Sequence, residues 1–375
     1  MPTTEEKIAE LEERLSKTKK NKATMKSIVT IKAEIAKLRR QLVKDLSSKG
    51  GGGQGFGVRK TGDAQIALIG FPSVGKSTLL NYLTGGSTDS KVAAYEFTTL
   101  NCVPGMMILD KIAVQILDLP GIIIGASQGR GRGREILSVL RSVDLILIII
   151  DYNNDGTVDV DRLDAIRQEL HNIGIRLNKI PPNIKIKRTH KGGVMVTHSV
   201  KLTHLDDKDL VKAICNNNKL TNCHVTLYED ATPEDLIDAI LGNCVYIPAI
   251  IAVNKADLVP KKERKTLPQI VGEPDVIPIS GKTGLNIDKL KQRIYERLQL
   301  IKIFLKPKKK EADMEKPLVM KAGSTIEDIT RKIHNKFYKS FRYAKVWGES
   351  AKHPGQIVHL NHVVADNDLI TIFLK

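Results

Sequence analysis

The residues best suited to do chemistry lie in the segment 70–77, which reads G-F-P-S-V-G-K-S. Its glycines let backbone N–H groups turn inward around an anion, and a helix that follows would add the partial positive charge of its N-terminus. Lys76 is spaced to reach the β- and γ-phosphates of a nucleotide, and the Ser77 hydroxyl is spaced to bind Mg²⁺. The segment therefore predicts a phosphate-binding loop, whose lining residues are Gly70, Phe71, Pro72, Ser73, Val74, Gly75, Lys76, Ser77 and Thr78.

A plain glycine turn with a surface lysine is the simpler alternative for this segment. The flanking sequence argues against it, because the apolar run 66–69 precedes the loop and leucines at helical spacing follow it. A strand, a glycine-rich loop and a helix in that order are the context that a phosphate-binding loop requires. The chain is thus predicted to bind a nucleoside triphosphate.

A second motif, D-L-P-G at 118–121, follows the apolar run 112–117. At the end of a buried strand, Asp118 can hold Mg²⁺ through a water molecule, and the N–H of Gly121 can sense the γ-phosphate. The segment 127–134 then alternates glycine with arginine. It is either an RNA-binding arginine-glycine segment or a loop that rearranges with the nucleotide state, and its position directly after the motif favours the rearranging loop.

Base selectivity is predicted from N-K-A-D at 254–257, which follows the apolar run 249–253. The Asp257 carboxylate can accept hydrogen bonds from N1–H and N2–H of guanine, whereas adenine offers no donor there. A site built in this way rejects the wrong partner by ~10⁴-fold or more. Lys255 would pack along the base, and Asn254 would tie this loop to the phosphate-binding loop. After a strand at 276–279, the backbone of three residues would complete the base pocket: Ser280, Gly281 and Lys282.

These motifs, in this order along the chain, predict a GTPase, an enzyme that hydrolyses GTP to GDP and phosphate. Lys76 and Gly121 are its expected catalytic groups.

The overall charge indicates a polyanionic partner. The formal net charge is +17 over 375 residues, an excess that favours nucleic acid or an anionic membrane. No apolar run reaches the length that spans a bilayer, and the N-terminus lacks a signal-peptide core. Aromatic residues make up only 4% of the chain, so extensive stacking of bases on aromatic side chains is not expected. We predict a cytoplasmic, monomeric protein that does not bind membranes.

The four cysteines indicate a reducing compartment, since none belongs to a C-x-x-C pair. Cys215, Cys223 and His224 offer a metal cluster as one alternative. Buried thiols are the favoured interpretation.

Several segments must position the motifs. Residues 1–49 predict a helical hairpin, because apolar residues recur every three or four positions on either side of a lysine-rich interruption. Residues 50–61 are glycine-rich and predict a linker. Residues 62–300 form the nucleotide-binding α/β domain, in which residues from about 152 to 242 are too many for one crossover helix and predict an inserted α+β subdomain. Residues 301–375 alternate strands with one helix, the pattern of a small β-grasp domain.

Within the insert, helices are expected at 161–173, 206–216 and 233–241, strands at 193–200 and 224–227, and basic loops at 185–191. The tail opens with the lysine-rich segment 302–310. Strands follow at 317–321, 343–347, 357–360 and 369–374, with a helix at 325–335 that Thr325 and Asp328 can cap reciprocally.

The motifs G-F-P-S-V-G-K-S, F-T-T-L, D-L-P-G-I-I-I-G-A and N-K-A-D resemble those of the Obg-type branch of translation-factor-class GTPases. The hairpin, the insert and the tail narrow the resemblance to the developmentally regulated GTP-binding protein family of archaea and eukaryotes, over essentially the whole chain. This resemblance implies a helix-turn-helix arm, a GTPase domain whose insert is similar to a ribosomal-protein S5-like fold, and a C-terminal TGS domain. It also implies ribosome-linked work in translation, with the ribosome, ribosomal RNA or an accessory regulatory protein as partners.

The resemblance also adds residues to the site. Motif by motif, Thr99, with Thr98 beside it, is the expected switch-loop ligand of Mg²⁺ and a third catalytic group; the metal ligands are then Ser77, Thr99 and, through water, Asp118. Many GTPases carry a water-positioning glutamine after D-x-x-G, where this chain has Ile122, so slow intrinsic hydrolysis or another device is expected. Relatives in this branch often use K⁺, held in part by a loop asparagine. Ser73 occupies that position, and the sequence leaves the K⁺ site open.

Two rival functions also stay open on the sequence. A nucleotide-gated scaffold would hold RNA or the ribosome whether or not GTP is cleaved. A membrane-surface GTPase would place its lysines on anionic lipid, but no lipidation signal or clearly amphipathic basic anchor is visible.

Replacing Asp257 by Asn should move base preference from guanine towards xanthine nucleotides, because the C2 oxygen of xanthine can accept a hydrogen bond from the new amide. Competition binding with GTP, XTP and ATP measures the change. A variant that keeps the native preference for GTP would remove Asp257 from base recognition.

Overall fold

The computed structural model describes residues 4–19, 24–48, 60–85, 103–119, 139–153, 155–205, 207–242, 244–264, 266–273, 275–307 and 312–375. Within these ranges, none of the helices combines the length and the apolar composition that a bilayer crossing needs. The chain divides into two compact units. The first contains the N-terminal helices and residues 161–247, and the second contains the strands that carry the nucleotide motifs and the C-terminal residues.

The helices are α1 (Thr4–Lys17), α2 (Met25–Ser48), α3 (Lys76–Leu83), α4 (Val160–Asn172), α5 (Lys208–Asn217), α6 (Pro233–Leu241), α7 (Lys261–Arg264), α8 (Leu267–Val271), α9 (Ile287–Leu298), α10 (Ile326–Ile333) and α11 (Asn335–Lys339), with a 3₁₀ turn at Ala256–Leu258. The strands are β1 (Ala64–Ile69), β2 (Val103–Leu109), β3 (Ile112–Asp118), β4 (Leu145–Asp151), β5 (Ile175–Leu177), β6 (Ile184–Arg188), β7 (Val194–His198), β8 (Cys223–Leu227), β9 (Val245–Ile247), β10 (Ala249–Asn254), β11 (Val276–Pro278), β12 (Leu300–Leu305), β13 (Leu318–Lys321), β14 (Phe341–Trp347), β15 (Gln356–Val358) and β16 (Leu369–Leu374).

A six-stranded sheet in the order β11-β10-β4-β1-β3-β2 carries the nucleotide motifs. Its strands pair in parallel except β2, which is antiparallel to β3. Every residue of β1 and β10 is buried. A parallel strand covered on both faces is mostly apolar, which is why these strands contain continuous apolar runs. The buried Gln65 of β1 is paired, since its side-chain amide donates to Oε1 of Gln115 at 3.0 Å. The leucines of α3 and the apolar face of α9 share one core with Ile66, Leu68 and Leu147.

In the first unit, the N-terminal hairpin packs on the insert. Ile8, Ile31 and Ile35 form the seam between α1 and α2. The other side of α2 contributes Val29 and Ala33 to the core of the insert, beside residues of α5 and α6. Since one helix supplies both contacts, the hairpin and the insert form a continuous structure.

The insert contains a three-stranded sheet in the order β6-β8-β7. The strand β6 runs antiparallel to β8, and β7 runs parallel to it. Cys215 and Cys223 lie buried in the apolar core of this subdomain, and burial raises the pKa of the Cys215 thiol to about 12.

The prediction of basic loops at 185–191 was wrong for its first part, because β6 extends to Arg188. Lys185 and Lys187 are exposed and alternate with Ile184 and Ile186, which pack against the core of the insert. The alternation of apolar and charged residues that marks a strand was overlooked here, because only two isoleucines show it and the residues between them are lysines.

The C-terminal residues form a five-stranded sheet in the order β13-β12-β16-β14-β15. Its core includes Ile303, Val346 and Ile370 together with Ile326 and Ile329 of α10. The reciprocal cap of α10 is present: the Thr325 hydroxyl accepts from the Asp328 N–H, and the Asp328 carboxylate accepts from the Thr325 N–H at 2.8 Å.

The strand β12 overlaps the lysine-rich segment 302–310, for which no strand was predicted. Lys302 is buried, and its ammonium forms an ion pair with Asp110 on the turn between β2 and β3. Val319 of β13 belongs to the apolar core of the nucleotide-motif sheet. The C-terminal sheet therefore packs directly on the nucleotide-motif domain.

One buried ion pair joins two elements of the first unit. Arg176 of β5 donates two hydrogen bonds to the Asp238 carboxylate of α6, at 2.7 and 2.8 Å, and both side chains are buried. Removing one partner of such a pair leaves an uncompensated charge in the interior.

We expect Arg176→Gln to lower the free energy of unfolding by about 3–5 kcal/mol, because the Asp238 carboxylate loses its bidentate partner. Urea unfolding measures this change. Lys212→Gln is the matched control, since the Lys212–Asp209 pair is exposed and should contribute less than about 1 kcal/mol. Equal effects of the two substitutions would contradict the assignment.

Candidate nucleotide-binding site

The predicted phosphate-binding loop connects β1 to α3 and needs glycine at two positions, one for its backbone conformation and one for space. Gly75, the N-cap of α3, has φ 91°, and a Cβ placed on it would lie 2.3 Å from Nδ2 of Asn254. A Cβ on Gly70 would lie 2.3 Å from the carbonyl oxygen of Ile149 in β4. Gly75 thus permits a left-handed turn and the approach of Asn254, and Gly70 permits close packing of the loop on β4.

The side chain of Lys76 folds back over this loop. Its Nζ donates to the carbonyl oxygens of Gly70, at 3.0 Å, and of Phe71, at 2.9 Å. Burial lowers the pKa of Lys76, and the nearby Asp118 partly offsets this effect. A phosphate group beside Nζ would favour the charged ammonium, because an opposite charge at short range stabilises it. The remaining loop residues divide between the buried Val74 and the exposed Pro72, Ser73, Ser77 and Thr78.

Ser77 and Asp118 meet at the start of α3 and the end of β3. The Ser77 hydroxyl donates to Oδ2 of Asp118 at 3.0 Å. The other carboxylate oxygen, Oδ1, is buried and has no hydrogen-bond partner within the part of the chain that the structure describes. An unpaired buried carboxylate oxygen is unfavourable unless a cation or donor reaches it. Hydroxyl and carboxylate oxygens are ligands that Mg²⁺ prefers. Ser77 and Asp118, which we call the metal corner, therefore fit the predicted Mg²⁺ site.

Asn254 connects three loops through its side-chain amide. Its Nδ2 donates to the Val74 carbonyl oxygen at 2.8 Å, and its Oδ1 accepts from the Gly281 N–H at 2.9 Å. Asn254 ends β10 and is buried. The amide therefore fixes the distance between the phosphate-binding loop and the two loops expected to hold the base.

The loop after β10 presents the residues expected to recognise the base. Lys255 adopts a left-handed conformation with φ 62°, and its Nζ lies 2.5 Å from Oδ2 of Asp151, the last residue of β4. Asp257 lies exposed in the 3₁₀ turn that follows. The Ala256 N–H donates to the Ile279 carbonyl oxygen at 2.9 Å, which docks this turn on the segment that leads to Ser280.

The third loop follows β11. Ser280 is buried, and its hydroxyl accepts from the Thr283 N–H at 3.1 Å. A Cβ on Gly281 would lie 3.3 Å from the backbone nitrogen of Leu79 in α3, so this loop also lies close to the start of that helix. Lys282 is exposed.

The structure thus brings together the three motif segments at 70–78, 254–257 and 280–282, with Asp118 beside the first. The other predicted site residues, Thr98, Thr99, Gly121, Ile122 and the segment 127–134, lie outside the described residues. Asp151 was missed as a site residue by reasoning from the sequence. The sequence does carry a signal for Asp151, because this carboxylate ends a buried strand. In the structure Asp151 pairs with Asn254 of β10, the residue before Lys255.

Three protein families match successive segments of the chain. Residues 65–188 match a family described as 50S ribosome-binding GTPase, residues 191–300 match the C-terminal region of the same domain, and residues 301–374 match the TGS domain.

Relatives match over nearly the whole length. An uncharacterized GTP-binding protein of Methanocaldococcus jannaschii is 48% identical over 375 residues, covering 99% of this chain and 93% of its own. Developmentally-regulated GTP-binding protein 1 of Xenopus laevis is 45% identical, covering 98% of both chains. This chain belongs to the developmentally regulated GTP-binding protein family.

Membership in this family confirms the resemblance that the motifs indicated. The domain matches likewise confirm the predicted fold class, an α/β GTPase domain with a phosphate-binding loop followed by a C-terminal TGS domain. A further family relative, Ribosome-interacting GTPase 1 of Saccharomyces cerevisiae, is 42% identical, with 100% coverage of both chains.

Gly75→Ala should weaken nucleotide binding at least 10-fold, because a Cβ there would displace the Asn254 amide, and a 10-fold loss corresponds to only about 1.4 kcal/mol. Titration with a fluorescent GDP analogue measures the affinity. Gly85→Ala is the matched control: Gly85 also has a positive φ of 64°, but its Cβ would have no atom of the described residues within 4 Å. If both substitutions weaken binding equally, backbone strain rather than the Asn254 contact is responsible.

Proposed function

We propose that this member of the family binds GTP together with Mg²⁺ and hydrolyses it to GDP and phosphate. The observation that carries the proposal is the pair of hydrogen bonds from the Asn254 side chain to Val74 and Gly281. A nucleotide extends from its base to its phosphates, so its site needs loops held at a fixed separation. One buried amide that links all three loops supplies that separation.

In this proposal guanine is recognised by the exposed carboxylate of Asp257, which accepts from N1–H and N2–H. Lys255 would lie along the base, held in place through its ion pair with Asp151. Backbone groups of Ser280, Gly281 and Lys282 would close the pocket from the other side. This arrangement selects guanine because adenine would leave the carboxylate without a donor.

At the phosphate end, the Lys76 ammonium would exchange its two carbonyl partners for phosphate oxygens. Ser77 and, through a water molecule, Asp118 would hold the metal ion, which when bound neutralises charge on the phosphate oxygens. Thr99 and Gly121 are proposed from their motifs as a further metal ligand and as a γ-phosphate contact. Ile122 supplies no polar group to the attacking water, so a slow intrinsic rate is expected. K⁺ remains a candidate activator on the resemblance alone.

Lys76→Ala should reduce both GTP affinity and turnover, because the positive charge on the phosphates is lost. Isothermal titration with GTP and a phosphate-release assay, run in K⁺ and in Na⁺ salts at equal ionic strength, measure affinity, rate and cation dependence. Lys261→Ala, an exposed lysine of α7, controls for a general effect of net charge. Native turnover in Lys76→Ala would contradict the proposed catalytic role.

We further propose the ribosome or ribosomal RNA as the partner, in the cytoplasm. Two observations support this: the net charge of +17, which favours a polyanion, and the name of the yeast relative, a ribosome-interacting GTPase. An accessory regulatory protein stays a candidate second partner, and a monomer is the proposed form of the free chain.

Sedimentation through ribosome gradients with GDP and with a non-hydrolysable GTP analogue tests this partner. We expect more protein in the ribosome fractions with the analogue, because the nucleotide state would set the loops that meet the partner. Equal sedimentation in both states would favour a scaffold in which turnover is incidental. Absence from the ribosome fractions in either state would overturn the proposed partner.

A further inference from the structure

Aromatic residues are few in this chain, yet three of them share one face of the C-terminal sheet. Ala344 and Val346 of β14 are buried in the core with α10. The alternate residues of the same strand, Tyr343, Lys345 and Trp347, therefore lie on the opposite face. The register places Phe373 of β16 beside Tyr343 and Thr371 beside Lys345, so this face, which we call the aromatic face, spans two neighbouring strands.

Each ring of the aromatic face has a cation over it. The rings of Tyr343 and Phe373 stack with centroids 4.5 Å apart and an interplanar angle of 14°. The Lys306 ammonium lies 5.5 Å from the Trp347 ring centroid, the Lys345 ammonium lies 5.9 Å from that of Phe373, and the Arg342 guanidinium lies 5.8 Å from that of Tyr343.

The aromatic face is positively charged and partly exposed. Lys306 is exposed and the three rings are half-buried, whereas Thr371 in the middle of the face is buried. Arg342 is also exposed, and it lies at a register irregularity of β14 rather than in the alternating pattern. Ile357 of β15, which pairs with Lys345, is 56% exposed at its edge. Among the described residues, no carboxylate lies within ion-pair distance of Lys306, Arg342 or Lys345. Their charges are therefore not neutralised by a described carboxylate, and an anionic partner would draw these cations away from the rings.

We propose that the aromatic face binds single-stranded RNA: the three cations leave the rings for phosphates, and unpaired bases take their place on Trp347 and on the Tyr343–Phe373 pair. This proposal rests on the RNA association proposed above and names the surface that would carry it. Sheets that present aromatic rings on neighbouring strands, bordered by cations, stack two or three bases in this way. Extensive base stacking was not expected from the sequence because aromatic residues make up only 4% of the chain, whereas the fold collects three rings in one place.

RNA fits the aromatic face better than a protein segment does. A protein partner would have to bring carboxylates for three cations and an apolar surface for three rings, in register. Single-stranded RNA alternates a phosphate with a flat base at every nucleotide, and any base can stack, so no sequence match is required.

Trp347 is the single tryptophan of the chain, so intrinsic fluorescence at tryptophan wavelengths reports directly on this face. Titrating the full-length protein with a 12-nucleotide oligoadenylate should quench this fluorescence as a base stacks on the indole. Polyphosphate of equal charge should bind without comparable quenching, because it has no bases.

Labelled oligoadenylate then measures the variants by anisotropy. Removing one stacking ring should weaken binding by about 5- to 100-fold, so Trp347→Leu should lose this much while Trp347→Phe keeps most of the affinity. Lys306→Gln and Lys345→Gln should each reduce the slope of log affinity against log salt by about 0.7. Tyr228→Leu, which removes an exposed ring on the first unit, should change neither quantity. Unchanged GTP affinity and melting temperature show that each variant is folded.

Native oligoadenylate affinity in Trp347→Leu, or binding without quenching, would overturn the proposal. If that result comes with unchanged ribosome sedimentation, the aromatic face is wrong while the proposed function stands. If the protein binds and quenches with oligoadenylate but never sediments with ribosomes, the face stands and the ribosomal partner falls. Loss of ribosome sedimentation in Trp347→Leu without any oligoadenylate binding would mean that the face meets a protein, and the RNA proposal would be wrong.

Discussion

The candidate site depends on one buried amide. Asn254 closes two hydrogen bonds, to Val74 and to Gly281, and the space it occupies is free because Gly75 has no Cβ. A buried amide left without partners would be unfavourable by about 1–3 kcal/mol, so the three loops are held in one arrangement. The parallel strands β1, β10 and β11 deliver these loops to the same edge of the sheet, where their carboxyl ends meet.

Carboxylates at strand ends complete this edge. Asp118 ends β3 and Asp151 ends β4, and each meets a polar side chain from a neighbouring loop, Ser77 and Lys255 respectively. The two carboxylates have different environments. Asp151 is paired with a lysine, whereas Asp118 keeps one buried oxygen without a partner among the described residues. Asp118, at the predicted Mg²⁺ site, therefore has an oxygen that a cation would stabilise, whereas Asp151, beside the predicted base site, already has a cation as its partner.

The sequence predicted what short-range patterns encode. The apolar runs that became β1 and β10, and the N-K-A-D and glycine-rich segments, were readable because buried parallel strands and nucleotide loops leave continuous or fixed-spacing signals. The strands β6 and β12 were missed because lysines alternate with, or interrupt, their apolar residues. No local pattern marks that Lys302 is buried against Asp110, since this contact joins residues 192 positions apart. The grouping of Trp347 with Phe373 is a product of strand pairing in the same way.

The hairpin of β2 and β3 links the metal corner to the C-terminal sheet. Asp118 lies at one end of β3, and at the other end Asp110 pairs with Lys302 while the Lys111 ammonium donates to the Met314 carbonyl oxygen at 2.9 Å. Because β3 is hydrogen-bonded to β1 on one side and to β2 on the other, it resists bending and holds this contact at a fixed distance from the site. Coupling between sites needs an element with two arrangements, and a strand that is paired on both sides has to break hydrogen bonds to both neighbours in order to shift. Nucleotide control is then expected to act through the loops at the edge of the sheet, while the aromatic face keeps one geometry in both nucleotide states.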